Sequence, residues 1–201
     1  MELRELQPGL WRWRAFHPEW QEQVGSVAYE GAGELVLFDP LLPSEDALDD
    51  HVVRVGKPVA ILVTVFWHTR SADVLARRHG ARVLAPSRGR AAVARRAPTT
   101  EAFRPGEPLP GGVQAFATAR GTEVVYWIPD RRALVTGDVL LGSDDGGIRL
   151  CPQSWLPEST RLPALAESLR PLLELPIARV LLSHGEPVLR NGRAALERAL
   201  A

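Results

Sequence analysis

The chain has 201 residues, 45% of them hydrophobic, and its 24 basic and 24 acidic residues balance to a net charge of zero. This balance argues against general affinity for nucleic acid or an anionic membrane surface, and no apolar stretch reaches the ~20 residues of a membrane span. With one cysteine, Cys151, and no apolar N-terminal segment, the chain is expected to be soluble, cytoplasmic and free of disulfides.

The first half of the sequence predicts strands, followed by alternating helices and strands. Apolar runs bounded by turn residues predict strands at residues 10–16, 24–29, 34–38, 59–64 and 82–85. Helices are predicted at 44–56, where Ser44 provides a cap and Gly56 a stop, at 71–79 and at 87–96.

The second half follows a connection rich in Pro and Gly, residues 105–112. Strands are predicted at 113–118, 123–128, 133–136 and 179–183, with a hairpin tip at 143–147. Leucines at helical spacing predict a helix over 162–173 that Pro171 bends, and another helix begins at Gly192. This order of elements predicts two sheets packed face to face with helices outside.

Four short patterns at strand ends occur along the chain. They are Leu35-Val36-Leu37-Phe38-Asp39, Ile61-Leu62-Val63-Thr64, Val135-Thr136-Gly137-Asp138 and Leu181-Leu182-Ser183-His184-Gly185. Their order, and the elements around them, resemble the metallo-β-lactamase fold family over essentially the whole chain. The resemblance implies an α/β fold, a four-layer αββα sandwich, in one domain over residues 1–201.

The sequence departs from this family where most of its metal ligands belong. In the family, the strand that ends in Thr is followed by His-x-His-x-Asp-His, which supplies imidazole and carboxylate ligands to zinc. Here residues 65–70 read Val-Phe-Trp-His-Thr-Arg, and the four ligand positions hold Val65, Trp67, Thr69 and Arg70. A further histidine is missing from residues 117–121, so that only Asp138 and His184 match the family's ligands.

Three interpretations of the remaining site are open. Arg70 could replace the metal by pairing its guanidinium with the Asp138 carboxylate. Alternatively, a one-residue shift of the turn could aim His68 inward, so that His68, Asp138 and His184 hold one metal ion. The third possibility is that these residues are only structural. We expect no bound metal, with one zinc ion as the alternative.

The remaining candidate residues surround this position. Asp39, Trp67, His68 and Arg120 are expected to line the pocket, while Cys151 is expected to be buried filler rather than a nucleophile. A Ser-His-Asp triad formed by Ser71 or Ser154 with His184 and Asp138 is open, although no nucleophile-elbow pattern supports it.

The resemblance implies a hydrolase-like protein that acts on or binds a small molecule of ester, thioester or lactone type. If the protein is an enzyme, we expect a hydrolase with at most one metal ion. Catalysis is assigned to His184 as base, Asp138 as its orienting group and Arg70 facing the oxyanion. The alternative is a non-catalytic protein that binds a small anionic ligand through Arg70 and Arg120. Neither hypothesis includes a nucleic-acid or membrane partner.

Overall fold

The computed structural model describes all 201 residues, in thirteen strands and five α-helices. The strands are β1 (Arg4–Gln7), β2 (Leu10–His17), β3 (Glu22–Glu30), β4 (Leu35–Phe38), β5 (Val59–Leu62), β6 (Arg82–Pro86), β7 (Glu101–Phe103), β8 (Gln114–Ala117), β9 (Val124–Ile128), β10 (Ala133–Thr136), β11 (Leu140–Gly142), β12 (Ile148–Leu150) and β13 (Arg179–Leu182). The helices are α1 (Asp49–Val55), α2 (Ala72–His79), α3 (Arg90–Ala94), α4 (Leu162–Leu169) and α5 (Gly192–Ala199).

Two mixed sheets form the centre of the molecule. The larger sheet contains β1 to β7 in sequence order, antiparallel from β1 to β4 and parallel from β4 to β7. The smaller sheet has the order β13-β10-β9-β8, and β10 and β13 are parallel. A two-stranded hairpin, β11 and β12, forms a separate small sheet. Parallel neighbours place their carboxyl ends at the same edge, which positions the site described below.

Three apolar clusters separate the four layers. One lies between the sheets and includes Phe38 and Leu62 from the larger sheet and Tyr126 from the smaller one. The second packs helices α1, α2 and α3 on the outer face of the larger sheet, and the third packs α4 and α5 on the outer face of the smaller sheet. The predicted four-layer αββα sandwich is therefore confirmed.

Several predicted elements are shorter than expected, and each difference has a local cause. The helix expected at 44–56 begins only at Asp49, because the Ser44 hydroxyl donates to the Asp46 side chain instead of capping a helix. The helix expected over 162–173 ends at Leu169 and continues as a 3-10 helix, Arg170–Glu174, because Pro171 has no N–H to donate. No helix is long and apolar enough to cross a membrane.

Strands β1 and β7 were not predicted. The residues of β1 are Arg-Glu-Leu-Gln, which have no apolar alternation, and β7 has only three residues. Both are the outermost strands of the larger sheet. An edge strand pairs with one neighbour only, and its hydrophobic pattern in the sequence is weak. These edge strands do not contribute to the site.

Candidate functional site

Four strand ends meet at one edge of the two sheets, as the sequence predicts. Asp39 follows β4, and its carboxylate accepts hydrogen bonds from the N–H and the hydroxyl of Thr64, which follows β5. Asp138 follows β10 and His184 follows β13, and their side chains are 3.0 Å apart. The convergence of Asp39, the turn after Thr64, Asp138 and His184 is therefore confirmed.

The turn after β5 carries His68 into the interior. Residues Phe66–Thr69 form a short 3-10 segment that is kinked at His68, and the His68 side chain is completely buried. The turn ends at Arg70, whose φ of 42° is in the left-handed region that only a few per cent of non-glycine residues adopt. This tight geometry supplies the inward rotation of His68 that a regular strand-to-helix turn would not give.

Three side chains that could hold a metal ion converge at this point. Each of His68, Asp138 and His184 offers one ligand atom, and these atoms lie within 4.8 Å of one another. Asp138 Oδ1 is 3.1 Å from His68 Nε2 and 3.0 Å from His184 Nε2. Nevertheless, the buried Oδ1 of Asp138 and Nε2 of His68 have no aligned hydrogen-bond partner. These atoms are at ion-pair distance but are not aligned for direct hydrogen bonds, a geometry that would accommodate a further group between them.

Neighbouring groups hold these three side chains by their other polar atoms. His68 Nδ1 is 2.8 Å from Asp39 Oδ2, and the Trp67 indole N–H donates to Asp138 Oδ2 over 2.7 Å. His184 Nδ1 lies 3.0 Å from Glu22 Oε1. A carboxylate that holds Nδ1 of a metal-ligating histidine fixes the imidazole tautomer and directs Nε2 towards the metal. Asp39 is placed in this way behind His68, whereas Glu22 lies near His184 Nδ1 without an aligned hydrogen bond.

This donor set fits one zinc ion. Two imidazole nitrogens and one carboxylate oxygen are ligands that zinc accepts, and a catalytic zinc site with three protein ligands keeps its fourth position for water or substrate. Nε2 of His68 and Oδ1 of Asp138 face the same space and form no aligned hydrogen bond. Both atoms are therefore free to act as ligands, as such a site requires. The residues present would hold a single ion.

Electrostatics favour an ionised Asp138. Burial disfavours the charged carboxylate, but His68 and His184 outweigh it and hold the pKa of Asp138 below its usual value. Burial and the charge of Arg70 lower the pKa of His68, whereas Asp138 and Asp39 raise it more, so that the net shift is upwards. The carboxylates of Asp138 and Asp39 on either side of the buried His68 imidazole therefore create a negative potential that favours a positive charge between them.

Arg70 does not replace a metal. Its guanidinium donates to the backbone carbonyls of Gly25 and Asp39, at 2.9 and 2.8 Å, and to the Ser183 hydroxyl at 2.6 Å. It forms no ion pair with Asp138, so the expected Arg70–Asp138 pair is wrong. The physical reason is the left-handed backbone at Arg70, which directs the side chain behind the site. There it ties together the segments that carry Asp39 and His184.

Glu123 supports the loop that carries Asp138. The buried carboxylate accepts hydrogen bonds from the backbone N–H groups of Asp138 and Val139, at 2.6 and 2.9 Å, and pairs with Arg120 at 3.0 Å. Burial and the charge of Asp138 raise the pKa of Glu123 to about 7, although Arg120 acts in the opposite direction. At Gly137 a Cβ atom would lie 2.7 Å from the same carboxylate, so no side chain fits there.

A cavity of about 330 Å³ opens beside the three ligating side chains. It is lined by Trp20, Glu22, Trp67, Arg120, Asp138, Trp155 and His184. Of the residues predicted for the site, Trp67, Arg120, Asp138 and His184 line the cavity, whereas Asp39, His68 and Arg70 lie outside its lining. A larger surface cavity of about 620 Å³, along residues 105–117, has Glu107 as its only titratable side chain and offers no comparable chemistry.

The remaining sequence candidates lie elsewhere. Cys151 is buried, and burial raises the pKa of its thiol to about 11, which leaves it unreactive as a nucleophile at neutral pH. The Ser71 hydroxyl accepts the N–H of Leu42. Neither Ser71 nor Ser154 makes a hydrogen bond to His184, so the structure contains no serine triad.

Sequence reasoning missed several residues of the site. Glu123 had a usable signal, since it is a lone carboxylate at the start of the apolar run Val124–Ile128. Trp20 and Trp155 had none, because they reach the site from a turn and from a 3-10 segment whose positions depend on the complete fold. The roles of Glu22, on β3, and Ser183, after β13, depend on side-chain contacts between distant segments.

Comparison with known proteins agrees with this geometry. A family model described as the metallo-beta-lactamase superfamily matches residues 3–201. No curated protein sequence matches the chain.

Solved structures of similar architecture are found at low sequence identity. A metallo-β-lactamase from Pontibacter korlensis aligns with a TM-score of 0.73 and 15% identity, over 99% of this chain and 98% of its own. A metallo-β-lactamase family protein from Thermus thermophilus aligns with a TM-score of 0.68 and 20% identity, over 96% and 79%. A β-lactamase domain protein from Burkholderia ambifaria gives a TM-score of 0.68 and 18% identity, over 98% and 75%. These likenesses show the shared fold.

Proposed function

The chain belongs to the metallo-β-lactamase superfamily, and on that premise we propose that it is a hydrolase that uses one zinc ion, held by His68, Asp138 and His184. Its substrate is a small molecule with an ester, thioester or lactone bond. The observation that carries this proposal is the convergence of three zinc-compatible atoms within 4.8 Å beside an open cavity. Fold alone does not determine function, so the proposal rests on these atoms.

Each residue of the site has a separate part in this proposal. A bound zinc ion lowers the pKa of a coordinated water and polarises a carbonyl group. Asp39 and Trp67 keep the ligands of this ion in place through His68 Nδ1 and Asp138 Oδ2. Glu22 lines the cavity and is half-exposed, and in this proposal its carboxylate would accept the proton of the attacking water and return it to the leaving oxygen or sulfur.

The alternative of an anion-binding protein has less support. Arg70 is committed to two backbone carbonyls and a hydroxyl, and Arg120 is paired with Glu123. The cavity also presents the carboxylates of Glu22 and Asp138. Without a bound cation, an anionic ligand would meet net negative charge here.

Elemental analysis of protein purified without chelator tests the proposal. We expect about one zinc ion per chain, lost in His68→Ala and in Asp138→Asn, because three protein ligands make one catalytic site. His79→Ala is the matched control, since His79 pairs with Asp49 at the end of α2 and lies outside the site. Hydrolysis of generic aryl esters, thioesters and lactones should require the zinc and disappear in the two site variants. Stoichiometric zinc without turnover on any of these substrates would contradict the hydrolase assignment.

A further inference from the structure

Three tryptophans surround the proposed zinc site and line its cavity. The ring centroids of Trp20 and Trp155 lie 5.9 and 6.1 Å from that of His184, and Trp67 lies 6.4 Å from His68. Ligand pockets are predominantly apolar and aromatic, with a few polar groups that orient the ligand. The aromatic wall therefore indicates which substrates fit.

Trp155 is the most exposed of the three rings, and neither a stacked ring nor a cation lies over it. Trp67 carries the guanidinium of Arg120 at 4.7 Å from its centroid. Trp20 stacks on His17 with centroids 3.9 Å apart and also lies 5.7 Å from the Arg70 guanidinium. Trp155 contacts His184 in an edge geometry and remains 42% exposed. Its backbone carbonyl accepts a hydrogen bond from Arg120, so the exposed ring is attached to the site rather than to a free loop.

The charges around the cavity select against ions of either sign. With the proposed zinc ion bound, its two positive charges are balanced by the carboxylates of Glu22 and Asp138, and Arg120 is paired with Glu123, so an anionic substituent finds no surplus positive charge. A cage for an organic cation needs several free aromatic faces, and here the face of Trp67 already carries a guanidinium. A neutral ligand avoids both costs.

We propose that the substrate is a neutral ester, thioester or lactone with a flat aromatic group, which stacks on Trp155 while the reacting bond faces His184 and Asp138. This inference rests on the proposed function for the reaction that takes place, and on the residues that line the cavity for the shape of the substrate. Aromatic pairs in offset-stacked geometry gain more binding free energy than burial of apolar surface alone provides. The site should therefore prefer a flat ring over an apolar group of similar size that is not flat.

Hydrolysis of matched methyl esters tests the selection. Methyl phenylacetate and methyl cyclohexylacetate share a leaving group, and only the first has a flat ring. We expect kcat/KM to favour methyl phenylacetate by about tenfold, and Trp155→Ala to abolish this preference. Phe16→Ala is the control, because Phe16 is also half-exposed but does not line the cavity. Derivatives of the first ester with a 4-carboxylate or a 4-trimethylammonium group should react more slowly than the neutral compound.

Binding is measured separately from turnover, with phenylacetamide, cyclohexylacetamide and zinc-loaded protein in calorimetry. If phenylacetamide binds, and Trp155→Ala removes the binding while Phe16→Ala does not, the inference holds even where no ester is hydrolysed, and only the hydrolase assignment fails. If esters are hydrolysed without preference for the flat ring, or equally well by Trp155→Ala, the inference is overturned and the hydrolase assignment stands. Preferred turnover or binding of a charged derivative would also overturn it.

Discussion

The two histidines of the proposed zinc site are held in different ways. His68 is completely buried, and the carboxylate behind it, Asp39, is itself buried and accepts two hydrogen bonds from Thr64. His184 is 11% exposed, and Glu22 behind it is 47% exposed. One ligand is therefore fixed by the core of the first half of the chain, while the other lies at the wall of the cavity. The buried side supplies rigidity, and the open side gives substrate access to the ion.

Loss of Arg70 should have the largest effect, because its guanidinium connects the two sides. Arg70→Ala removes the charged donor from the carbonyls of Gly25 and Asp39 and from the Ser183 hydroxyl, although the Ser26 hydroxyl still donates to the Asp39 carbonyl. Since hydrogen bonds from charged donors contribute roughly 1.5–3 kcal/mol each and water can replace some of them, we expect a loss of about 3 kcal/mol in the free energy of unfolding by urea. Arg77→Ala, at an exposed pair with Asp73, should change it by less than about 0.5 kcal/mol. If the two substitutions lowered the free energy of unfolding equally, Arg70 would not stabilise the connection between the segments that carry Asp39 and His184.

Removal of zinc should destabilise the protein almost as much. A ligand that binds only the native state stabilises it by about 2.7 kcal/mol when its concentration is 100 times its Kd. Urea unfolding with buffered zinc and with chelator should show this difference. In Asp138→Asn the two curves should coincide, and a persistent difference there would place the ion elsewhere.

Asp39→Asn tests the buried side of the comparison. The amide cannot accept from both His68 and Thr64 as the carboxylate does, so the imidazole loses its orientation. Changes to the groups behind a metal ligand typically weaken metal affinity by about 10–100-fold, and we expect a loss in this range in competition with a chromophoric chelator. An unchanged affinity would mean that packing alone positions His68.

Glu22→Gln tests the open side and should have the smallest effect on metal binding. The Glu22 side chain is half-exposed, so water can take its place beside His184 Nδ1. We expect the zinc affinity to fall by less than about tenfold and the stability in urea to stay within about 0.5 kcal/mol. Esterase activity should fall further than affinity if Glu22 transfers the proton. A loss of affinity as large as that of Asp39→Asn would abolish the distinction between the two sides.

The fold and the meeting point of the site could be predicted from sequence. Strand periodicity predicted two packed sheets with helices outside, and the family resemblance of the residues at the strand ends implied the four layers and the position of the site. Asp39, Asp138 and His184 follow apolar runs directly, and parallel strands bring such ends together. The orientation of His68 and Arg70 could not be predicted in the same way. This orientation depends on the short 3-10 segment Phe66–Thr69 and on the positive φ of Arg70. A shift of one residue in such a segment would change which side chain faces inward.

The ligand atoms of the site come from both halves of the chain. His68 precedes the Pro- and Gly-rich connection at residues 105–112, and Asp138 and His184 follow it. Neither half alone offers three donors, so a nascent chain cannot complete the site until β13 has been synthesised and docked beside β10. If the proposed zinc ion binds there, we expect its capture to follow the docking of β13, so that metal retention would report the assembly of both halves.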